Sequence, residues 1–299
     1  MPTGFPTWHR FAGWPMTERL ERLVGQHLQE GSATPVPVRV EEVLVHHETL
    51  KTFVMEAPFS IAPGQFVMLW LPGVEEKPFS PSLATQNWRS RPGRIELTVR
   101  AVGAFTHALM GVKPGQLLGL RGPFGRGFSL EPFSLLVGGG MGIAPLRYLA
   151  EALDSSGLPF HALLGARTGR DLLFTDWFSR RSASLFTDDG SAGTAGLVTQ
   201  SLDAELSSGL FRNVCACGPE PMLLAVMKIC ETRSVPYQFG FERYMKCGIG
   251  ICGQCCMDGS GIRLCKEGPV LTAHELAGIT ELGLPHRDAS GARPARPGV

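Results

Sequence analysis

The sequence predicts an antiparallel β-barrel, then a doubly wound α/β domain with a parallel sheet, then a small cysteine-rich C-terminal domain. Short alternating segments separated by Pro and Gly extend from about residue 35 to residue 132, which is typical of a small barrel. From residue 133, apolar strands, glycine-rich loops and helical stretches alternate. That alternation indicates a parallel sheet covered by helices. Five of the eight cysteines then fall between residues 247 and 265.

Composition restricts the classes of function. The 299 residues are 43% hydrophobic and 18% charged, with a formal net charge of +1. These values predict packed cores rather than disorder, and they exclude the strong basic field of proteins that bind nucleic acid or anionic membranes. No apolar run approaches the roughly 18 residues that span a bilayer, and no secretory signal is recognisable at the N-terminus. We therefore expect a cytoplasmic protein whose cysteines are metal ligands, reactive thiols or core residues rather than disulfides.

Changes of composition along the chain predict five parts. These are an N-terminal extension (1–35), the barrel (36–132), the α/β domain (133–238), the cysteine domain (239–275) and a C-terminal tail (276–299). The tail has no apolar period, so it is expected to be mobile.

The N-terminal extension contains one helical pattern. Leu20, Leu23, Val24 and Leu28 would lie on one face of a helix that ends at Gly31. A short amphipathic helix of this kind either packs on the body of its own chain or binds a partner. The pattern does not distinguish these two interpretations.

The clearest strand period in the predicted barrel lies in RIELTVRAVG. Ile95, Leu97 and Val99 alternate with polar residues, which predicts a strand with one face in the core. Pro and Gly in APGQF and KPGQLLGLRGPFGRGF mark turns between neighbouring strands.

A glycine-rich loop follows an apolar strand in LLVGGGMGIAP. It contains Gly138, Gly139, Gly140 and Gly142, and a helix is predicted to begin near 144–145. Glycines let the backbone approach a ligand closely, and a helix N-terminus offers free N–H groups to phosphate. The loop does not match G-x-G-x-x-G, so alone it fits either a phosphate site or a tight turn without ligand.

Two later loops follow predicted strands of the same sheet. One is TDDGS, with Asp188 and Asp189, and the other is CGPEPM, which begins with Cys217. Carboxylates at the carboxyl ends of parallel strands accept hydrogen bonds from ribose hydroxyls in doubly wound sheets. An N-cap or a turn would also use such aspartates. Because all three loops belong to one sheet edge, a nucleotide site is favoured.

The pair GGGMGIAP and CGPEPM resembles the pyridine-nucleotide domain of the ferredoxin–NADP reductase superfamily. The resemblance implies that the glycine loop binds pyrophosphate and that the cysteine after the later strand lies beside the nicotinamide. The residues that it assigns are Gly138, Gly139, Gly140, Gly142, Ala144, Pro145, Cys217, Gly218, Pro219 and Met222.

The segment TDDGS is more similar to the NADH-using branch of the superfamily than to the NADPH branch. This similarity implies ribose contacts from Asp188 and Asp189. Arg167, in GART, keeps NADPH as the alternative.

The superfamily carries its flavin on a barrel that precedes the nucleotide domain, and EKPFSPS stands at the matching place. By resemblance, Lys77 contacts phosphate, Phe79 stacks on the isoalloxazine and Ser80 donates a hydrogen bond to it. The later segment TVRAVGAFTHAL is similar to the part that lines the ribityl chain and diphosphate. The flavin residues implied are Lys77, Pro78, Phe79, Ser80, Thr98, Val99, Arg100, Phe105 and Thr106.

Lys77 stands where the superfamily has Arg. Lys is a point charge and cannot make a bidentate fork, so the change would weaken FAD binding or favour FMN. FAD is what the resemblance implies, and FMN stays the alternative. Ser80 and Cys217 are the catalytic candidates.

The cysteine spacing is Cys247-x4-Cys252-x2-Cys255, then nine residues to Cys265. C-x4-C-x2-C…C is the plant-type [2Fe–2S] arrangement, in which four thiolates enclose two irons. Glycines between the ligands let the backbone wrap such a cluster. A four-cysteine zinc site usually shows paired C-x2-C knuckles, and only one is present, so zinc is the weaker alternative.

Besides Cys217, three further cysteines lie outside this set. Cys256 immediately follows Cys255, so its side chain is expected to point away from the cluster. Cys215 and Cys230 lie on a predicted strand and a predicted helix, and we expect both to be core residues.

The order of barrel, nucleotide domain and cluster segment over residues 36–275 resembles the electron-transfer subunits of two-subunit dihydroorotate dehydrogenases. ERYMKCGIGICGQC…LCKEGPV and TDDGS carry this resemblance. It implies NAD(H), FAD, a [2Fe–2S] cluster and a role in pyrimidine biosynthesis. It also implies an FMN-containing dihydroorotate dehydrogenase catalytic subunit as partner, in a heterotetramer.

Two alternatives remain at this stage. The γ-subunits of cytosolic hydrogenases and sulfide dehydrogenases share the layout, and a zinc-bearing interaction module with a vestigial nucleotide fold belongs to another class. Ile249, Ile251 and Met257 beside the cysteines suit a partner interface or packing on the chain itself.

The redox chemistry orders the implied cofactors. NADH delivers two electrons as hydride, whereas a [2Fe–2S] cluster takes one electron at a time. A flavin does both, so it belongs between them.

Overall fold

The computed structural model describes residues 31–85 and 93–293. Within these residues the chain forms two seven-stranded sheets and six α-helices. The helix predicted over Leu20–Leu28 lies outside the described residues. The antiparallel sheet precedes the largely parallel one, which confirms the predicted fold class.

The first sheet contains the residues of the predicted barrel, and its pairings are antiparallel. Strand β1 pairs with β7 through its first half and with β2 through its second half, and its register shifts along the way. Such irregularities increase twist, so the sheet curls around β1 into a half-barrel. The spatial order is β4-β3-β7-β1-β2-β6-β5. The elements are β1 (Ser32–His47), β2 (Leu50–Ala57), β3 (Phe66–Leu71), β4 (Glu75–Phe79), β5 (Leu83–Ala84), β6 (Gly93–Arg100), α1 (Ala104–Leu109) and β7 (Leu117–Phe124).

The half-barrel buries its core through the predicted alternation. Ile95, Leu97 and Val99 of β6 are at most 1% exposed. On the neighbouring strand β2, Phe53 and Met55 stand opposite Leu97 and Ile95 and are also fully buried. Each such side chain stabilises the fold by roughly 1.5–3 kcal/mol on burial.

The second sheet contains the predicted α/β domain. Six of its strands run parallel, and β14 pairs antiparallel with β13. The spatial order is β11-β10-β9-β8-β12-β13-β14. The strands are β8 (Ser134–Gly139), β9 (Phe160–Ala166), β10 (Ala183–Thr187), β11 (Thr194–Ala195), β12 (Asn213–Cys217), β13 (Tyr237–Gly240) and β14 (Val270–Thr272).

Strand order reverses at β8. The chain adds β9, β10 and β11 on one side of β8 and then returns to place β12 on its other side. Ligands of open α/β sheets bind outside the carboxyl ends of the strands at such a switch point. The glycine loop follows β8 and the Cys217 loop follows β12, so the topology places these two loops side by side.

Helices cover both faces of this sheet. One face packs against α2, through Leu146 and Leu149. The other face packs against α4 and α5, through Leu206 and Val226. The helices are α2 (Ile143–Ser155), α3 (Thr175–Ser179), α4 (Leu202–Ser207), α5 (Glu220–Arg233) and α6 (Ala273–Leu276). Among the described residues no helix has both the length and the apolar character to cross a membrane.

The cysteines lie on a long excursion between β13 and β14. We call residues 247–265 the cysteine loop. It shares its apolar core with both sheets: Cys255, Met257 and Cys265 pack in one cluster with Met68 of the half-barrel and Phe239 of β13. The strand β14 that follows lies within the range predicted for the cysteine domain, yet it extends the parallel sheet.

Candidate functional site

A cavity of about 380 Å³ lies between the half-barrel and the parallel sheet. Its walls come from the end of β4, the end of β6, the start of α2, the end of β12 and residues 240–245. The predicted site residues that line it are Pro78, Phe79, Ser80, Thr98, Val99, Arg100, Thr106, Ala144, Pro145 and Cys217. Both flavin segments, the helix start and Cys217 therefore meet at one place.

A second cavity of about 530 Å³ adjoins the first. The two share Phe79 and Thr106, and the second is also lined by Lys77 and Phe105. The rings of Phe79 and Phe105 stack with centroids 6.1 Å apart at 30°. We call the two cavities together the cleft. An extended, partly apolar cleft with a few polar groups has the form of a cofactor site.

Lys77 lies at the junction of the half-barrel and the segment that leads to the cysteines. Its Nζ forms an ion pair with Glu75 and donates a hydrogen bond to the Tyr244 hydroxyl at 2.9 Å. The same Nζ lies 4.6 Å from the centroid of the Tyr244 ring. Burial alone would lower the pKa of Lys77, but hydrogen bonds to Glu75 and Tyr244 raise it. Lys77 is therefore a cation at neutral pH, as a phosphate contact requires.

Ser80 reaches the cleft from a turn held by buried hydroxyls. Behind it, Thr98 Oγ1 donates to Ser82 Oγ at 2.9 Å, and Ser82 N donates to the Glu96 carbonyl at 2.8 Å. Ser82 is fully buried. These bonds fix the backbone that presents Ser80, although they do not test its predicted bond to a flavin.

Arg100 lines the cleft and joins the two sheets. Its Nη2 forms an ion pair with Asp171 at 2.8 Å, while its Nε is buried with no partner among the described residues. A buried donor without a partner costs about 1–3 kcal/mol. An acceptor oxygen of a bound cofactor would satisfy this donor, so Arg100 fits the predicted role.

The glycine loop approaches the Cys217 loop closely. A Cβ added at Gly142 would lie 2.1 Å from the Cys217 carbonyl oxygen, and one at Gly139 would lie 2.5 Å from Met222 Sδ. Gly140 has φ +53°, a left-handed conformation that favours glycine. The helix begins at Ile143, one residue before the predicted start. These contacts explain the glycines structurally and leave their phosphate role a prediction.

The remaining residues of the predicted nucleotide site lie around this loop. Gly138 packs against Ile143 of α2, and Gly218 packs against Met222. Pro219 is the N-cap residue of α5. Gly138, Gly218 and Pro219 therefore lie beside the residues that line the cleft, and they are not among its lining residues.

Cys217 and Glu242 both line the first cavity. Burial raises the pKa of the Cys217 thiol, so it stays protonated at neutral pH. Glu242 is exposed to the open cleft, where desolvation by the surrounding walls raises the pKa of its carboxyl. Glu242 lines both cavities, although it carried no prediction from the sequence. The signal was its position two residues after strand β13, at the same sheet edge as Cys217.

Asp188 and Asp189 lie at the carboxyl end of β10, as predicted, and both are exposed. Asp189 accepts hydrogen bonds from the Ser191 hydroxyl and backbone N–H, which lower the pKa of its carboxyl. Arg167 is exposed at the end of the adjacent strand. Their predicted ribose and phosphate contacts stay predictions.

The four predicted ligand cysteines form two pairs. The Cys252 side chain lies close enough to Cys247 to lower the pKa of its thiol, and the Cys265 backbone N–H donates to Cys255 Sγ at 3.4 Å. Within the described residues no three His, Cys, Asp or Glu side chains gather closely enough to hold a single metal ion. Two pairs of thiols instead fit a two-iron cluster in which each iron takes two thiolates.

The backbone of the cysteine loop favours thiolates. Burial opposes ionisation of Cys247, but hydrogen bonds from following backbone N–H groups lower its pKa to about 6. The thiol of Cys265 bonds to Cys255, which lowers the pKa of Cys255 to about 7 and raises that of Cys265. The turns depend on Gly248, Gly250 and Gly253, whose φ values of +71°, +80° and +69° favour glycine. The loop is thus preorganised for a negatively charged cluster.

The other cysteines lie where the sequence predicts. Cys215 and Cys230 are at most 1% exposed, and burial raises both pKa values to about 12. Cys256 Sγ lies 3.7 Å from the Gly261 carbonyl oxygen. Of the apolar residues beside the ligands, Met257 is buried in its own chain, whereas Ile249 and Ile251 are exposed.

The C-terminal tail is docked on the site. We call residues 281–293 the C-terminal clasp. Arg243, which lines the cleft, bonds to Glu220 at 2.8 Å and to Glu281 at 2.7 Å, and all three side chains are at most 8% exposed. Arg293 and Arg287 of the clasp pair with Asp258 of the cysteine loop.

The mobility expected of the tail stays a prediction, although residues 281–293 form ion pairs with the body of the chain. The expectation rests on the missing apolar period, whereas this segment is held by charged side chains together with Leu282, which packs against the apolar core. Residues 294–299 lie outside the described residues.

Comparisons with known proteins agree with this geometry. Residues 36–128 match the family described as oxidoreductase FAD-binding domain. Residues 242–277 match the family described as the iron–sulfur cluster binding domain of dihydroorotate dehydrogenase B. The first match covers the half-barrel, and the second covers the cysteine loop.

Two curated relatives carry the decisive similarity. Both are named probable dihydroorotate dehydrogenase B (NAD(+)), electron transfer subunit. The one from Methanocaldococcus jannaschii is 42% identical over 263 residues, covering 87% of this chain and 98% of the relative. The one from Methanothermobacter thermautotrophicus is 43% identical over 267 residues, covering 87% and 97%. The chain belongs to the dihydroorotate dehydrogenase B electron transfer subunit family.

Members of this family are thus similar to the chain over nearly their whole length, which confirms the resemblance inferred from the motifs. A solved structure of the NADH-dependent reduced ferredoxin-NADP oxidoreductase is also similar, with 30% identity and a TM-score of 0.67. The similarity covers 80% of this chain and 88% of that one.

Family membership confirms the cofactors implied by the motifs, namely FAD, an iron–sulfur cluster and NAD(H). Their fit to this chain rests on the orphaned donor of Arg100 and on the two thiol pairs. The chain is therefore a flavin and iron–sulfur oxidoreductase subunit.

Proposed function

We propose that this chain carries electrons between NAD(H) and an FMN-containing dihydroorotate dehydrogenase catalytic subunit, through FAD and a [2Fe–2S] cluster, in pyrimidine biosynthesis. The assembly would be a hetero-oligomer, most simply a heterotetramer. The relatives named above support the partner. The observation that carries the proposal is the convergence at one cleft of both predicted flavin segments, Cys217 and residues 240–245, which lead into the cysteine loop.

Each part of the cleft has a task in this scheme. Lys77 and Arg100 supply cationic donors for the phosphates and ribityl chain of FAD, and Phe79 supplies a ring for stacking. Ser80 would donate a hydrogen bond to the isoalloxazine. The loop from Gly138 to Pro145 would hold the pyrophosphate of NAD(H) at the N-terminus of α2.

Cys217 and Glu242 lie where the nicotinamide would meet the flavin. Because burial keeps the Cys217 thiol protonated, it offers packing and a weak donor rather than a competing nucleophile. When bound, FAD accepts hydride from NADH and passes electrons singly to the cluster.

The cysteine loop starts directly from the wall of the cleft. Met245 lines both cavities and packs in the same apolar core as Cys255 and Cys265. Met245 thus belongs both to the cleft wall and to the apolar core that contains two of the predicted cluster ligands. The exposed Cys252, with Ile251 beside it, offers a surface for the partner.

We also propose a cytoplasmic location. Thiolate ligands and the buried thiols Cys215, Cys217 and Cys230 suit a reducing compartment.

An anaerobic NADH titration of the purified protein, with visible absorbance, EPR, and iron and zinc analysis, tests the proposal. We expect the flavin band to bleach and a rhombic signal of a reduced [2Fe–2S] cluster to appear. Adding the FMN subunit and orotate should then reoxidise both centres. Zinc with no flavin band would overturn the proposal.

A further inference from the structure

Arg121 is a buried cation to which the sequence motifs assign no function. As whole residues Arg121 is 8% exposed and Glu281 is 2% exposed, and the side chain of Arg121 is 10% exposed. Glu281 belongs to the C-terminal clasp. Arg121 lies on β7 of the half-barrel, and a buried cation there needs partners because its desolvation is costly.

Three N–H donors of the Arg121 guanidinium bond to partners on two separate elements. Its Nε and Nη2 bond to the two carboxylate oxygens of Glu76 at 2.7 and 2.6 Å. Its Nη1 donates to the backbone carbonyl of Cys247 at 2.7 Å. The group also lies 5.2 Å from the ring centroid of Phe124. Only a planar fork can satisfy this geometry.

These partners connect the two halves of the redox site. Glu76 lies on β4, immediately before Lys77 and two residues before Pro78 in the flavin segment. Cys247 is the first cluster ligand. The next residue, Gly248, lies directly on the half-barrel: a Cβ there would be 3.2 Å from Met68. Arg121 thus bonds both to β4, which we call the flavin strand because it leads into the predicted flavin segment, and to the first predicted cluster ligand.

The charge of Arg121 also acts on the cluster. A cluster becomes more negative by one charge when it takes an electron, so a nearby cation favours the reduced form. Glu76 offsets part of that effect, but the guanidinium is the group that contacts the ligand. Groups that bond to metal ligands tune the metal centre in this way.

We propose that Arg121 is a positioning residue that anchors the Cys247 arm of the cysteine loop to the flavin strand and raises the reduction potential of the cluster. This inference rests on the proposed function, because it requires the four cysteines to hold the cluster.

The test compares three variants of the full-length chain by redox titration followed by EPR, with iron, sulfide and flavin contents measured. Arg121→Met removes the cation and leaves Glu76 unpaired. Glu76→Gln keeps the cation and removes its counter-ion. Arg126→Met is the matched control, because Arg126 also bridges the half-barrel to the C-terminal region, through the Val270 carbonyl and Glu275, without contacting a ligand cysteine.

For Arg121→Met we expect the equilibrium constant of one-electron reduction to fall about tenfold, which is a decrease of about 59 mV. For Glu76→Gln we expect a shift in the opposite direction. Arg126 is half exposed and screened, so its variant should stay within twofold of the wild type.

Equal potentials for Arg121→Met and Arg126→Met would overturn the proposal. If Arg121→Met does not fold, Glu76→Gln decides. A cluster potential in Glu76→Gln that is equal to or lower than that of the wild type would then overturn the proposal. A wild-type protein without iron and sulfide would instead refute the proposed function, so the two failures are distinguishable.

Discussion

The cysteine loop and the cleft differ in how far along the chain their residues lie from one another. All four ligand cysteines of the loop fall within residues 247–265. The cleft draws its walls from residues as distant as Gly64 and Val270. The difference teaches that a local site is built by backbone turns, whereas an assembled site is built by packing. A substitution that disrupts the cysteine loop should therefore leave the cleft largely intact, and the reverse should also hold.

The largest effect is expected for Cys252→Ser, which breaks the local site. Loss of one thiolate should abolish the cluster absorption, while flavin content stays near that of the wild type because no cleft wall changes. Iron analysis and visible spectra check both expectations.

Cys256→Ser is the matched control, because this neighbouring thiol lies outside the two ligand pairs, and it should keep the cluster. Full cluster absorption in Cys252→Ser would show that the ligands are assigned wrongly.

The C-terminal clasp tests whether the two sites are independent. Glu281→Gln leaves Arg243 with one buried carboxylate partner, Glu220, instead of two. Breaking a buried pair costs about 3–5 kcal/mol. We expect a loss of that order in urea unfolding, with release of residues 281–293 to proteases, and weakened cleft and cluster together.

Asp203→Asn is the control for the clasp, because the Arg233–Asp203 pair has a similar distance, 2.7 Å, but is exposed. Exposed pairs contribute about 0–1 kcal/mol. If both variants lost equal stability, burial of the clasp would not be the cause.

The clasp also predicts a pH dependence. Burial opposes ionisation of Glu220, but bonds from the Gly283 N–H, Arg243 and His286 lower its pKa. A carboxyl with a lowered folded pKa stabilises the fold above its unfolded pKa, and that contribution is lost as pH falls through the folded value. Protease release of the clasp should therefore begin below the ordinary pKa of glutamate. Glu220→Gln should weaken this dependence, and Asp258, whose pKa is lowered by Arg287 and Arg293 of the clasp, should keep the rest.

The smallest effect is expected for Gly142→Ala, which breaks the assembled site. The added Cβ would lie 2.1 Å from the Cys217 carbonyl oxygen, so one of the two loops must move. Overpacking of this kind costs about 1–3 kcal/mol. Binding of NADH, measured by flavin bleaching, should weaken while the cluster spectrum persists.

Gly111→Ala is the control for this variant. Its Cβ would meet only one atom, at 3.3 Å, and its φ is not left-handed. Unchanged NADH binding in Gly142→Ala would argue against close approach of the two loops in solution.

Sequence spacing was sufficient for the local site because a metal cluster dictates both the ligands and the turns between them. Cys247, Cys252, Cys255 and Cys265 were predicted from spacing alone, and the left-handed conformations of Gly248, Gly250 and Gly253 follow from the same turns. The alternation of Ile95, Leu97 and Val99 likewise predicted a buried strand, because a strand has a period of two.

Sequence patterns cannot predict contacts between residues that lie far apart in the chain. No pattern connects Arg121 with Cys247, which lie 126 positions apart, or Arg243 with Glu281. Glu242 has no motif of its own either, and its place in the cleft depends on strand β13 ending at the same sheet edge as β12. Buried ion pairs follow from packing, and packing has no period.

The sequence by itself thus determined the fold class and the cofactor motifs, and it predicted the cluster ligands, since each depends on local spacing. Only the tertiary structure decided which walls form the cleft, how the C-terminal clasp docks and that Arg121 joins the flavin strand to the cysteine loop. The physical reason is that side chains distant in the chain become neighbours only when two sheets and a loop pack into one core.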